Sequence, residues 1–282
     1  MGSIALDYAA PDPALAEYLS VFYHFRADVP HFADDERADL AQFRFLLRGR
    51  GTYRFADGHV QAGPAIQLVG PTTAPSHVEI DGPVEVFGVG ILPSGWGAMI
   101  AMDASAMANR VIDATQLFGP GLNETAAAIR AAPDIAAKIA AATPMFARLI
   151  AEGPDRSRDF TRAVDAWLAG SPSPDIADLV TATGLCRRQI ERLCKRLYGA
   201  PPKLLARKYR ALRAAVILAR RQASPADLLD HGFYDQSHCI REIKHFTGIT
   251  PTRLTSDLPE LTRLTLRRTA FAGEVAPLVA ET

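Results

Sequence analysis

The chain has 282 residues, 48% of them hydrophobic and 22% charged, with a formal net charge of zero. That length accommodates two domains, each with its own core, and the composition is that of a globular protein rather than a disordered or fibrous one. No apolar run approaches the ~20 residues that span a bilayer, and the acidic start "MGSIALDYAAPDPALAEY" lacks the basic region of a secretory signal.

The predicted elements begin with a loop. Asp34, Asp35, Glu36 and Asp39 form an acidic cluster that reads as solvated chain before the first strand. "AQFRFLLRGRGTYRFADGHV" then has the alternation of a hairpin. Phe43, Phe45 and Leu47 alternate with Gln42 and Arg44, "RGRG" supplies a turn, and Tyr53 and Phe55 alternate with Arg54. Arg44 and Arg54 fall on the face expected to be solvated. "ADGH" at 56–59 is a second turn, of the Asp-Gly kind. "AIQLVG", "HVEI" and "VEVFGVGI" follow as short strands separated by "GPTTAPS" and "DGP". Strands so punctuated predict a sandwich or small barrel. Phe43, Phe45, Tyr53, Phe55, Ile66 and Leu68 are its candidate pocket lining, although alternating apolar strand residues more often form plain core.

From about residue 94 the pattern turns helical. "GWGAMIAMDASAMANRVIDATQLFG" and "LNETAAAIRAAPDIAAKIAAATPMFARLIAE" carry Ala, Leu and Ile at helical spacing, and "EGPDRS" at 152–157 reads as a linker. "FTRAVDAWLAG" is a short amphipathic helix stopped by Gly170 and "SPSP". "DIADLVTAT", Gly184 and the basic "CRRQIERLCKRLYG" follow. A long helix over 202–222 then shows an apolar stripe at Leu205, Tyr209, Leu212, Val216 and Ala219. The unit recurs in "GFYDQSHCIREIKHFTGITP": a glycine turn, a basic helix and a Gly-x-x-Pro ending.

Charge is unevenly spread. Residues 156–255 hold 18 Lys and Arg against 9 Asp and Glu, which points to a polyanionic partner. At 100° per residue, Ile190, Leu193, Cys194 and Leu197 share one face of the first basic helix, with Arg188, Arg192 and Lys195 opposite. In the second, Cys239, Ile243 and Phe246 are buried, Ser237, Arg241 and Lys244 point away, and His238 and Ile240 flank them. A helix preceded by another helix and a glycine turn is a helix-turn-helix, whose second helix fits the DNA major groove. Arg187, Lys195, Lys203, Arg207 and Lys244 are placed to meet phosphates, as are Lys208, Arg210, Arg213, Arg220 and Arg221; Arg210 and Arg213 equally suit salt bridges between the two units.

Residues 158–255 resemble the DNA-binding domain of the AraC/XylS family of transcription regulators. The resemblance rests on "IADLVTATGLCRRQIERLCKRLYGAPP" and "GFYDQSHCIREIKHFTGITP", joined by "KYRALRAAVILA". It implies base contacts from Arg188, Glu191 and Arg192 in the first reader, and from Ser237, His238, Ile240 and Arg241 in the second. The chain departs from the family at Cys186, where serine is usual, and at Cys194, Cys239 and Ile243, where aromatic residues are usual. "SPADLLDHG" is one residue short and carries Pro225, so weaker base reading is expected of the second unit.

Strands followed by helices over 1–152 resemble the cupin-like sensor of the same family. The fold expected is therefore α+β: a β-sandwich or cupin-like barrel with following helices, an all-α tandem helix-turn-helix over 158–255, and an extension over 256–282. The expected partners are double-stranded DNA, a small-molecule effector of unknown identity, RNA polymerase in the case of an activator, and a second copy of the chain; a membrane is not among them.

Three scattered cysteines argue against a disulfide framework and for a cytoplasmic setting. The buried faces make Cys194 and Cys239 structural and leave Cys186 as the thiol worth testing. The seven histidines have no ligand spacing, so no metal or other cofactor is expected. No G-x-S-x-G, P-loop or strand-following G-x-G-x-x-G is present, and no enzyme activity is expected. The competing readings are a cupin-type enzyme with an appended DNA-binding module and a ligand-independent dimeric DNA-binding protein.

Overall fold

The computed structural model describes residues 3–153, 158–224 and 227–280, so most of the expected linker and Pro225 lie outside the described residues. The N-terminal region is an antiparallel sheet of eight strands: β1 Ile4–Ala9, β2 Leu19–Ala27, β3 His31–Glu36, β4 Ala41–Phe55, β5 Val60–Ala62, β6 Ile66–Val69, β7 Ser76–Ile91 and β8 Val111–Asp113. The order is β1-β2-β7-β4-β6-β8, with β3 on β7 and β5 on β4. β4 and β7 pair along almost their whole length and organise the sheet. One half of β7 also pairs with β2 and the other half with β3, so the sheet folds over itself. Among the described residues β1 and β8 form no ladder with each other, so it curls without closing.

Three strands precede residue 40, where the sequence suggested none. β2 is buried along most of its length on both faces, which removes the period-2 signature. The acidic cluster is not solvated loop either. Asp34, Asp35 and Glu36 lie in β3, and each, with Asp39, holds a partner elsewhere in the fold.

"RGRG" is not a turn. β4 runs straight through it, and the pairing with β7 shifts register between Leu46 and Arg48 and again between Arg48 and Arg50. The first shift sets two steps of β4 against one of β7, a bulge that adds a residue to β4. One extra residue reverses which side chains face which way. Gln42, Arg44 and Leu46 therefore share a face with Gly51 and Tyr53, while Phe43 and Phe45 turn to the opposite face.

That opposite face carries the main core. α1 Pro93–Met99, α2 Thr115–Phe118, α3 Leu122–Ala131 and α4 Ile135–Glu152 cover it. Phe22, Phe43, Phe45, Phe87, Trp96 and Phe146 are fully buried there. Phe43 meets Phe146 edge to face at 5.4 Å, and Phe22 stacks on Phe87 at 5.7 Å, geometries that suit the ring quadrupoles.

The C-terminal region is helical: α5 Arg158–Gly170, α6 Ile176–Thr183, α7 Arg187–Tyr198, α8 Pro202–Ala219, α9 Gln236–Thr247, α10 Pro251–Ser256, α11 Glu260–Thr265 and α12 Pro277–Ala280. A 3-10 turn over Asp227–His231 precedes α9 where a full helix would complete the second unit. A further 3-10 segment, Leu266–Phe271, links α11 toward α12.

The two regions are joined by buried polar contacts. Lys208, 4% exposed, donates through Nζ to Asp39 O at 2.6 Å and Thr72 O at 2.8 Å. The phosphate contact expected of it is thus sterically excluded. Burial pushes its ammonium down to about 8, against an opposing pull from Asp39. Between about 8 and the ordinary 10.5 the folded chain therefore sheds this proton while the unfolded chain keeps it. The unfolded state then binds more protons, so stability rises with pH across that window, by up to about 3 kcal/mol from this group. Urea unfolding of the wild type and Lys208→Met from pH 7 to 10.5 checks this; parallel curves would refute it.

A candidate DNA interface and an interior cavity

Each reader helix is set by local chemistry. Asp175 caps α6, accepting from Ala177 N at 2.9 Å, and Trp167 Nε1 donates to Asp175 O at 2.6 Å, tying α5 to that cap. α6 ends at Gly184, whose φ of +66° suits glycine. Cys186 stands at the N-cap of α7, and its amide donates to Gln189 Oε1 at 3.0 Å, one half of a capping box. α7 buries Ile190, Cys194, Leu197 and Tyr198. Burial pushes the Cys194 thiol up to about 12, so it packs as a small hydrophobe. Asp235 caps α9 by accepting from His238 N, and α9 buries Cys239, Ile243 and Phe246. Both readers end on a left-handed glycine, Gly199 and Gly248.

The outward faces then follow. Arg187, Arg188, Glu191, Arg192 and Lys195 are exposed on α7, and Ser237, Ile240, Arg241 and Lys244 on α9; His238 is half-buried with its ring against Phe233. Arg188, Arg192, Arg241 and Lys244 make no ion pair with a described residue. Lys195 and Glu191 pair with each other at 2.8 Å, an exposed i,i+4 pair worth only about 0.3–0.5 kcal/mol and readily exchanged for DNA. Tyr234, 91% exposed in the turn before α9, escaped the reading of the sequence; an aromatic beside a helix cap was its only signal.

Other bases serve the scaffold. Arg207 of α8 gives Nε and Nη2 to Glu242 of α9 at 2.9 and 2.7 Å, so its fork is occupied rather than presented to phosphate. Arg210 lies against the same carboxylate at 3.8 Å and over the Phe233 ring at 5.2 Å. Arg213 donates to Leu168 O at 2.8 Å. Lys203, Arg220 and Arg221 are exposed, and Arg221 donates to Thr255 O at 3.2 Å.

A cavity of about 120 Å³ lies between the strand domain and the C-terminal extension, roughly ten times the room one water needs. Of the six strand residues named as candidate lining, Tyr53 faces it. Phe43, Phe45, Ile66 and Leu68 pack in the core beneath the helices, and Phe55 packs with Tyr53, Val69 and Val78. Arg44, read as solvated, is 7% exposed and central to the cavity wall; Arg54 is exposed as read. Arg44 binds both oxygens of Glu36, at 2.9 and 3.0 Å, donates to Gln42 and to Tyr53 Oη, and Tyr53 in turn donates to Gln67 at 2.6 Å. The bulge in β4 is what turns this set inward. The far wall comes from the C-terminal extension, through Leu261, Thr262, Thr265 and Arg268.

Among the described residues, no group of three or more His, Cys, Asp or Glu stands together to hold a metal ion, and no helix is long and apolar enough to cross a membrane.

Comparison with known proteins agrees with the C-terminal architecture. Residues 179–256 match the family described as "Helix-turn-helix domain", and residues 8–113 match a domain of unknown function. No curated protein matches the chain. Among solved structures, ToxT from Vibrio cholerae strain SCE256 with a bound unsaturated fatty acid is 9% identical, with 85% of this chain and 97% of that one covered, at a TM-score of 0.48. ToxT from Vibrio cholerae O395 is 8% identical, with 81% and 99% covered, at 0.45. The AraC-like transcriptional activator CuxR is 14% identical, with 74% and 86% covered, at 0.31. Likenesses at these scores are too distant to carry function.

Proposed function

We propose that the protein, whose residues 179–256 match the family described as "Helix-turn-helix domain", is an AraC-type, sequence-specific DNA-binding regulator of transcription, controlled by a small molecule held in its strand domain. The observation that carries the reading is the pair α7 and α9. Each buries one face on α8 or its neighbours and turns unpaired arginine outward. Arginine can grip guanine bidentately in the major groove, at about 1–3 kcal/mol of discrimination per good pair.

On this reading Arg188, Glu191 and Arg192 contact bases from α7, and Ser237, His238, Ile240 and Arg241 from α9. Arg187, Lys195, Lys203 and Lys244 meet phosphates. Residues 1–152 form the sensor and dimerisation domain, 158–255 the DNA-binding domain and 256–282 an extension, whose α11 packs back on β1 and β3. A homodimer, and RNA polymerase as a partner when the protein activates, complete the proposal. No catalytic step is assigned.

Selection of bound sequences from a random duplex pool, with the full chain at two salt concentrations, tests this. Two short blocks about one helical turn apart are expected. One block alone would make the second unit, entered by a 3-10 turn instead of a helix, a phosphate clamp. No enrichment at any salt, with or without cell-derived small molecules, would overturn the DNA-reading assignment.

A further inference from the structure

The cavity wall carries a specific charge arrangement. Three carboxylates and three guanidinium groups border it, so their formal charges cancel. Arg44 is bound bidentately by Glu36. Arg268 donates to Asp39 Oδ2 at 3.0 Å, with Arg37 at 3.8 Å from the same oxygen. Asp35 is held by His77 at 2.7 Å. An ionic ligand entering this space would have to break up at least one such pair, and breaking a buried pair leaves a charge without compensation. A neutral ligand makes no such demand.

The remainder of the wall says what a neutral ligand would meet. Tyr8, Tyr23, Phe25, Phe32 and Tyr53 supply rings, and Leu6, Val78 and Leu261 supply aliphatic surface. Two hydroxyls there, of Ser20 and Tyr8, make no hydrogen bond with any described residue. Both hydroxyls open onto the cavity instead of being sealed within the sheet, so a ligand atom can reach them.

One side of the cavity is not the sensor domain at all. Leu261 and Thr262 belong to α11, and Arg268 to the 3-10 segment after it, both continuous in chain with α9 and α10. This segment is pinned by Leu261 N to Asp34 Oδ2 at 2.9 Å and by the Arg268–Asp39 bond.

We propose that the cavity binds an uncharged, mainly apolar, ring-bearing molecule with one or two hydrogen-bonding groups, and that the extension after the DNA-binding domain contributes directly to its binding site. This rests on the reading of the strand domain as the effector-binding domain. The ligand then touches both the sheet and a segment continuous in chain with the second reader helix.

The test uses the full chain and two probes with one aromatic frame, neutral 2-naphthol and anionic 2-naphthoate, titrated calorimetrically at pH 7. The neutral probe is expected to bind at least tenfold more tightly. Leu261→Ser should weaken it several-fold, and Tyr8→Phe combined with Ser20→Ala by about two- to tenfold. Equal or tighter binding of 2-naphthoate would overturn the charge argument while leaving the effector reading intact. Unaltered affinity in Leu261→Ser would remove the extension from the site, and unaltered affinity in the double variant would remove the two hydroxyls. Binding of neither probe at millimolar concentration would overturn the cavity as a ligand site, and the effector reading with it; the duplex selection stands or falls separately.

Discussion

Glu242→Ala is expected to lower the unfolding free energy by about 3 kcal/mol, the lower end for a buried pair that loses one partner. Glu242 is 5% exposed and accepts both arms of the Arg207 fork across the α8–α9 contact. Its loss leaves Arg210, whose side chain is only 11% exposed, facing no carboxylate, whereas Arg207, 39% exposed, can swing to water. That difference sets the effect at the lower end. Burial raises the Glu242 carboxyl, but the Arg207 hydrogen bond and the two guanidinium charges outweigh it and hold the group below its ordinary range. A depressed carboxyl contributes stability that is present above the unfolded value of 4.5 and lost as pH falls through the folded one. Guanidinium unfolding at pH 7 and pH 3 checks both statements. A change under about 1 kcal/mol at pH 7 would mean that water screens the pair.

Arg192→Ala should cost about 1–3 kcal/mol in binding to the selected operator and relax base preference at one position. Arg192 sits exposed on α7 with no ion pair among the described residues, so its removal leaves the fold intact and nothing buried unpaired. Lys203→Ala is the contrast: exposed at the start of α8, it should weaken binding alike on all sequences and reduce the salt slope by about one. Unchanged preference in Arg192→Ala would remove α7 from the major groove. A sequence-dependent loss in Lys203→Ala would contradict a phosphate role.

The helical half was legible because its signals are local. Gly184, Gly199, Gly232 and Gly248 all adopt positive φ, and a residue that must turn left-handed announces itself as glycine. Periodicity placed Ile190, Cys194 and Leu197 inward, and they are buried. Among the helical bases it erred where a charge is compensated by a distant partner: nothing near Lys208 in sequence predicts the backbone oxygens of Asp39 and Thr72 that receive it.

The strand half divides differently. Composition and alternation were enough for β-structure over 40–92, and for the hydrophobicity of Phe43, Phe45, Tyr53 and Phe55. Which face each of them joined was settled by a single bulge in β4, because an added residue inverts every side chain beyond it, and a period of two cannot reveal its own phase change. The cavity likewise exists only in three dimensions. Its wall takes Glu36 from β3, Arg44 from β4 and Leu261 from α11, residues far apart in sequence, and a buried arginine becomes tolerable only when folding has brought a carboxylate to it. Sequence carried what each segment is; long-range pairing carried which of its side chains can meet a ligand.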